Sequence, residues 1–160
     1  MTGVTKRRDL QMSKAVQHLQ SITINDEFGT PWYIYQQGVK LAGFTPYLDV
    51  CTNIFNKKCD TFYTIQDDAL TKQWSNDFYM NPPYSKVKQF LRYAWEQHHT
   101  HHVNALILVY AKTDTRWWHE YVQNKAEVHF IQGRIKFNDY YSKPTQHPAP
   151  YPSCWVIYRK

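Results

Sequence analysis

Glycine is scarce in this chain, with five in 160 residues and none in Thr52-Asn53-Ile54-Phe55-Asn56, the stretch that follows the first strand-like segment. A glycine-rich turn of the kind that cradles phosphate or nucleotide groups in open α/β folds is therefore missing from its usual place. Cysteine is scarce as well. Cys51, Cys59 and Cys154 show no paired metal-ligand spacing, and an odd count argues against a disulfide framework. A reducing, intracellular setting fits that usage. No apolar run reaches the length of a bilayer, no signal-peptide pattern is present, and no internal repeat recurs. The chain is long enough for one domain with a real core and short for two, leaving no room for a large recognition domain. Acidic residues are in deficit, 13 against 19 basic ones, for a formal charge of +6. That balance, on a chain with 17% aromatic residues, suits a polyanionic partner that offers bases for stacking.

What is present centres on Tyr79-Met80-Asn81-Pro82-Pro83-Tyr84-Ser85. The apolar run Phe78-Tyr79-Met80 reads as the end of a buried strand. Two prolines stop the strand and fix the backbone, and Pro82 restricts Asn81 to extended geometry. A rigid loop at the carboxyl end of a strand is where ligands bind in open α/β sheets. The Asn81 side-chain oxygen and the Pro82 carbonyl can each accept a hydrogen bond from one planar amine and orient its lone pair. Such a loop suits methylation of an exocyclic NH2 group, with Tyr84 stacking on a base taken out of its helix.

The rest of the chain supplies a frame. Residues 1 to 24 form a basic, polar extension with Lys6-Arg7-Arg8 and a helix expected around Leu10 to Leu19; residues 25–160 form the main domain. Asp26 or Thr30 can cap a helix that begins over Trp32 to Gln37, with Pro31 in its first turn. Phe44 to Cys51 reads as the first strand, carrying Asp49, and Asn53 and Asn56 can make the following turn in left-handed geometry. Asp67 or Asp68 precedes a short helix-like segment, Ala69 to Trp74. Ser85 can cap a helix with apolar positions Val87, Phe90, Leu91, Ala94 and Trp95. The run His98-His99-Thr100-His101-His102 reads as a polar linker, and no metal site is expected. Val103 to Tyr110 is a nearly continuous apolar strand of the kind buried on both faces of a parallel sheet. Its exit should lie on the same edge as Asn81, which makes Lys112 and Arg116, with Arg134 farther on, the candidates for phosphate contact. Asp114 can cap a helix over Trp117 to Gln123. Strands are expected over Glu127 to Ile131 and Arg134 to Phe137, joined tightly at Gln132-Gly133. A loop follows over Asp139 to Pro152, and Trp155 to Tyr158 closes the sheet. The pattern predicts an α/β, Rossmann-like single domain with a mixed, mostly parallel sheet.

Asn81-Pro82-Pro83-Tyr84 resembles the Asn/Asp-Pro-Pro-Tyr motif of amino methyltransferases that use S-adenosylmethionine (SAM). A longer series of motifs resembles the DNA N6-adenine methyltransferases of bacteriophages, the phage Dam-type family. It comprises Leu48-Asp49-Val50-Cys51, Asn56-Lys57-Lys58-Cys59, Phe62-Tyr63-Thr64, Asp67-Asp68-Ala69-Leu70, Trp74, the central motif, Thr113 to His119 and Pro148 to Ser153. The resemblance implies a SAM cofactor, DNA as partner and N6 of adenine as target, with Asn81, Pro82, Pro83 and Tyr84 as the catalytic loop. It also implies that Thr30 and Pro31 lie over the methionine end of SAM, with Asp49 near its methionine or ribose end. Asp68, in preference to Asp67, would hold its adenine. The same tetrapeptide serves N4-cytosine, RNA-guanine and protein-glutamine methyltransferases, and the glycine-poor loop leaves room for a non-catalytic DNA-binding protein derived from the fold.

Overall fold

Six consecutive apolar residues, Ala105 to Tyr110, are all buried and form the central strand of the sheet. In the computed structural model, which describes residues 28–160, alternate side chains of this strand enter two different cores. Ala105, Ile107 and Val109 face one side, and Leu106, Leu108 and Tyr110 face the other. A strand covered on both faces shows no polar alternation, which is why the sequence reads as one apolar run. The basic stretch at Lys6-Arg7-Arg8, the helix expected over Leu10 to Leu19 and the proposed cap Asp26 lie outside the described residues.

The chain enters through α1 (Trp32–Ala42) and then forms β1 (Leu48–Asp49), β2 (Thr61–Phe62) and β3 (Phe78–Met80). Helix α2 (Val87–His101) leads into β4 (Ala105–Tyr110), α3 (Arg116–Tyr121) follows, and β5 (Glu127–Phe130) and β6 (Ser153–Tyr158) complete the sheet. The strand order is β2-β1-β3-β4-β6-β5. β2, β1, β3 and β4 run parallel, whereas β6 runs antiparallel to both neighbours, β4 and β5. One core packs α2 and α3, through Phe90, Leu91, Trp117 and Trp118, on one face of the sheet. The other packs α1, through Ile34 and Tyr35, together with Ile135 and Phe137, on the opposite face around Trp155. This is a three-layer, mixed α/β domain of Rossmann-like form, as the apolar patterning predicts.

Several local expectations change. The first strand shrinks from Phe44–Cys51 to Leu48–Asp49; Pro46 has no N–H to give a ladder. The Ala69 to Trp74 segment is only one 3-10 turn, Ala69–Thr71. Trp74 is fixed instead by its backbone N–H on Gln97 Oε1 at 2.8 Å and its indole N–H on the Ala69 carbonyl at 3.0 Å. Residues 134 to 137 bury Ile135 and Phe137 without joining the sheet, and the Ile135 carbonyl accepts from Ala149 N at 2.8 Å. β6 lies between β4 and β5, so β5 and not β6 forms that edge. Pro31, Lys86 and Thr115 occupy the N-cap positions expected for Thr30, Ser85 and Asp114; of the three, Thr115 accepts a side-chain cap bond, from Trp118 N at 3.4 Å. Helix α2 runs on through His101, with His98 Nδ1 against the Val103 carbonyl at 2.7 Å. Among the described residues no helix is long and apolar enough to cross a membrane, and no cluster of three or more His, Cys, Asp or Glu could hold a metal ion.

Gly38 lets α1 approach the sheet. A β-carbon there would stand 2.6 Å from the ring of the fully buried Trp155. Gly38→Ala should therefore destabilise the fold by about 1–3 kcal/mol through overpacking, exceeding the gain of up to about 1 kcal/mol in helix propensity. Urea denaturation of the variant beside the native protein measures the difference.

Candidate active site

β1 pairs with β2 on one side and with β3 on the other, so the order of strands reverses between β1 and β3. Chain segments leaving two parallel strands at such a point diverge and open a crevice at their carboxyl ends. A cavity of about 440 Å³ lies there. Asp49 to Asn53 and Asn56 line it after β1, and Tyr79 and Asn81 to Lys86 line it at and after β3. Phe28, Gly29 and Thr30 and the turn around Asp68, Ala69 and Leu70 complete the wall. Its volume is that of a site for a small organic cofactor.

The orientation of Asn81 is fixed from outside its own loop. Its Nδ2 group donates to the Phe28 carbonyl at 2.9 Å and to the Thr30 hydroxyl at 3.2 Å. A carbonyl can only accept, so the side-chain Oδ1 is left as the acceptor. The Thr30 hydroxyl also bonds the hydroxyl of the buried Tyr79 on β3, in the same wall. The backbone carbonyl of Asn81 accepts from the Cys51 thiol at 3.2 Å, and Pro82 is buried. Tyr84 opens a 3-10 turn, and its ring stacks on Tyr110 with centroids 4.1 Å apart and planes 10° from parallel. Tyr84 and Tyr110 also border a second cavity of about 210 Å³, lined by Leu108, Lys112 and Trp117 among others.

The glycine-poor loop closes by side-chain chemistry. Neither Asn53 nor Asn56 adopts the left-handed conformation expected for them. Asn53 Oδ1 instead accepts from the backbone N–H groups of Phe55 and Asn56, both at 2.9 Å, which replaces a glycine turn with an Asx turn. The Nδ2 groups of Asn53 and Asn56 reach across to the Tyr140 carbonyl at 3.2 and 3.1 Å, tying this loop to the 139–152 segment. Gly29 pairs with Asn138 and passes so close to Asn56 that a β-carbon would lie 1.8 Å from its Oδ1. Only glycine fits there.

Two buried acceptors on this wall are left without partners: Asp49 Oδ1 and Asn56 Oδ1. Unpartnered buried oxygens are costly; Asn56 Oδ1 is closed in against Gly29, and Asp49 Oδ1 is an acceptor that a ligand's donor would complete. Asp49 Oδ2 accepts from Lys58 N at 2.9 Å. Burial pushes the Asp49 carboxyl up to about 7, against the opposing pull of the Lys58 amide and ammonium. Burial likewise raises the Tyr79 hydroxyl well above its ordinary value. Asp68, in left-handed geometry with φ of 51°, stands at the cavity's exposed rim. Asp67 lies off the cavity; its carboxylate, held below its ordinary range, accepts from Thr64 N at 2.7 Å and Thr64 Oγ1 at 2.9 Å.

The structure thus brings together Thr30, Asp49, Asp68, Asn81, Pro82, Pro83 and Tyr84, while Pro31 contributes behind them as the start of α1. The basic candidates stand outside this cavity. Lys112 Nζ lies 4.0 Å from the centroid of the Tyr151 ring, and the exposed Arg116 pairs with Glu120 at 2.6 Å. Arg134 donates to the Pro150 carbonyl at 2.5 Å and the Ala149 carbonyl at 3.3 Å. Sequence reasoning missed Phe28, which acts through its carbonyl, and Tyr110, whose position at the end of the apolar strand beside Asn81 was the available signal.

A switch-point cavity on a mostly parallel sheet with one antiparallel strand inserted near its edge defines a Rossmann-like methyltransferase fold. The sequence profile of the family described as DNA N-6-adenine-methyltransferase (Dam) matches residues 18–160, and the chain belongs to that family. The DNA N-6-adenine-methyltransferase of Haemophilus phage HP1 is 30% identical over 114 residues, which are 70% of this chain and 66% of that protein. The enzyme of the same description from Escherichia phage T1 is 33% identical over 91 residues, 55% of this chain and 37% of that protein. The matched stretch therefore spans less than two thirds of the length of either relative.

Asp49 makes the ligand-free protein's stability depend on pH. Its folded value, about 7, lies above its ordinary value of 3.8, so the native state keeps a proton that the unfolded chain releases. Stability should fall as pH rises from about 4 to about 7 and then level off. Asp49→Asn should flatten that dependence in melting-temperature scans across this range.

Proposed function

We propose that the protein is a SAM-dependent DNA methyltransferase that modifies N6 of adenine, the activity for which its two phage relatives are named. The observation that carries this reading is the fixed carboxamide of Asn81, whose NH2 is engaged by Phe28 and Thr30 so that Oδ1 is the free acceptor. An acceptor held in that way suits an amino group and not a carbonyl as the target.

The residues present fit a SAM cofactor. Asp49 Oδ1 is a buried acceptor that a cofactor's hydroxyl or ammonium donor would satisfy, with Thr30 and Pro31 near its methionine end and Asp68 at its adenine end. When bound, SAM supplies an electrophilic methyl group. The protein's part is positioning. Asn81 Oδ1 and the Pro82 carbonyl accept the two N–H bonds of the adenine amine and turn its lone pair toward the cavity, while Tyr84 packs on the unstacked base. Pro83 keeps the two acceptors in register with the ring of Tyr84. The amine releases its proton to solvent after transfer, so no strong base is needed. Lys112, Arg116 and Arg134 are the basic residues assigned to DNA phosphates, and a DNA substrate implies action inside a cell. The glycine-poor loop is no obstacle to cofactor binding, because Asn53 closes it by its side chain.

Methyl transfer from labelled SAM to unmethylated DNA, with nucleoside analysis of the product, tests the reading. N6-methyladenine is the expected product. Asn81→Ala should lower turnover by about 100-fold or more, the scale of losing one preorganised polar group at a reacting centre, in a protein that still folds with a melting temperature lower by a few degrees for the lost bonds to Phe28 and Thr30. Methylcytosine, or methylation of RNA alone, would overturn the assignment of the target.

A further inference from the structure

Among the described residues, Lys58 alone of the lysines and arginines is buried. A buried ammonium is costly unless its surroundings use the charge. Its surroundings are specific. Lys58 Nζ donates to the Asn56 carbonyl at 2.6 Å and lies 4.8 Å from the centroid of the Trp32 ring. The backbone N–H of the same residue donates to Asp49 Oδ2 at 2.9 Å. Lys58 therefore grips two residues of the large cavity's wall, Asp49 and Asn56.

We propose that Lys58 is a positioning residue for the cofactor cavity: its backbone amide holds Asp49 and its buried ammonium holds the Asn53-to-Asn56 loop, so that the Asp49 carboxyl is fixed in the cavity wall for a ligand. The inference rests on the reading of this cavity as the cofactor site. The titratable groups that act on Asp49 or feel its charge are Lys58, Cys59, Tyr35 and Tyr79, and the Cys51 backbone and Thr52 side chain also favour its charged form. Lys58 is the cation of the set, and burial raises the other three, so each of them stays neutral at ordinary pH. No other group in that set would replace its positive charge. Burial lowers the Lys58 ammonium from its ordinary value, while Asp49 and Cys59 hold it up. The pair is thus mutually supporting in the charged state, and removing the ammonium leaves Asp49 to take up a proton.

The test separates the charge from the tether. Lys58→Met removes both, Lys58→Gln keeps a hydrogen-bond donor for Asn56 and drops the charge, and Lys58→Arg keeps the charge. Asp49 is followed by carboxyl-carbon NMR titration of the ligand-free proteins, with Asp49→Asn to assign the signal, and SAM affinity is measured by calorimetry across the same pH range. In Lys58→Met and Lys58→Gln the Asp49 midpoint should rise by about one unit or more, and SAM affinity near neutral pH should fall about tenfold, recovering above the new midpoint. Lys58→Arg should retain the native midpoint. An unshifted Asp49 midpoint in a folded Lys58→Gln protein would overturn the proposal. A shifted midpoint in a protein that binds no SAM even in its native form would uphold the Lys58–Asp49 coupling and overturn the cofactor reading instead.

Discussion

The site depends on one hydrogen-bonded constraint, the donation of both Asn81 amide hydrogens to groups on the segment before α1. Free to rotate, the carboxamide would present oxygen and NH2 to the cavity with similar ease. Held against the Phe28 carbonyl, it presents oxygen. The surrounding contacts serve that arrangement. Gly29 is locked to Asn138 by two backbone bonds, Thr30 is engaged by Tyr79 from β3, and the Cys51 thiol holds the Asn81 carbonyl from the β1 side. Three chain segments far apart in sequence therefore fix one side chain. The prolines that follow make the loop stiff, so little ordering entropy remains to be lost when a ligand arrives.

The cavity's electrostatics follow from burial. Asp49 and Asn56 each keep a buried oxygen without a partner, a cost the fold bears in the wall of its large cavity. The same burial that lifts Asp49 toward neutrality also lowers Lys58, and each limits the other's shift. Stability and readiness for a ligand thus oppose each other at a few atoms, while the aromatic and aliphatic cores on both faces of the sheet supply the surplus.

Much of the architecture was legible because burial on both faces writes itself as continuous apolar runs. Val103 to Tyr110 and Trp155 to Tyr158 read directly as strands, and the spacing of Phe90, Leu91 and Ala94 read as a helix face. Capping was less legible. Thr30, Ser85 and Asp114 are all good cap residues by type, yet Thr30 is drawn instead to Tyr79 and Asn81, and neighbours take the cap positions of the later helices. Side-chain hydrogen bonds of short range compete with one another, and the winner is chosen by what lies across the fold. The place of β6 between β4 and β5 was equally hidden, since pairing partners leave no local pattern.

The sequence by itself determined the class of fold, the rigid Asn81-Pro82-Pro83-Tyr84 loop at a strand's end, and the family to which the chain belongs. These are properties of periodicity, backbone restriction and ordered motifs, all local along the chain. The folded chain was needed to show how the Asn81 carboxamide is turned, that Asn53 replaces the missing glycine turn, that Asp68 and not Asp67 borders the cavity, and that Lys58 is buried against Asp49 and Asn56. Each depends on contacts between residues distant in sequence or on the exclusion of water, and neither is written in residue type or spacing.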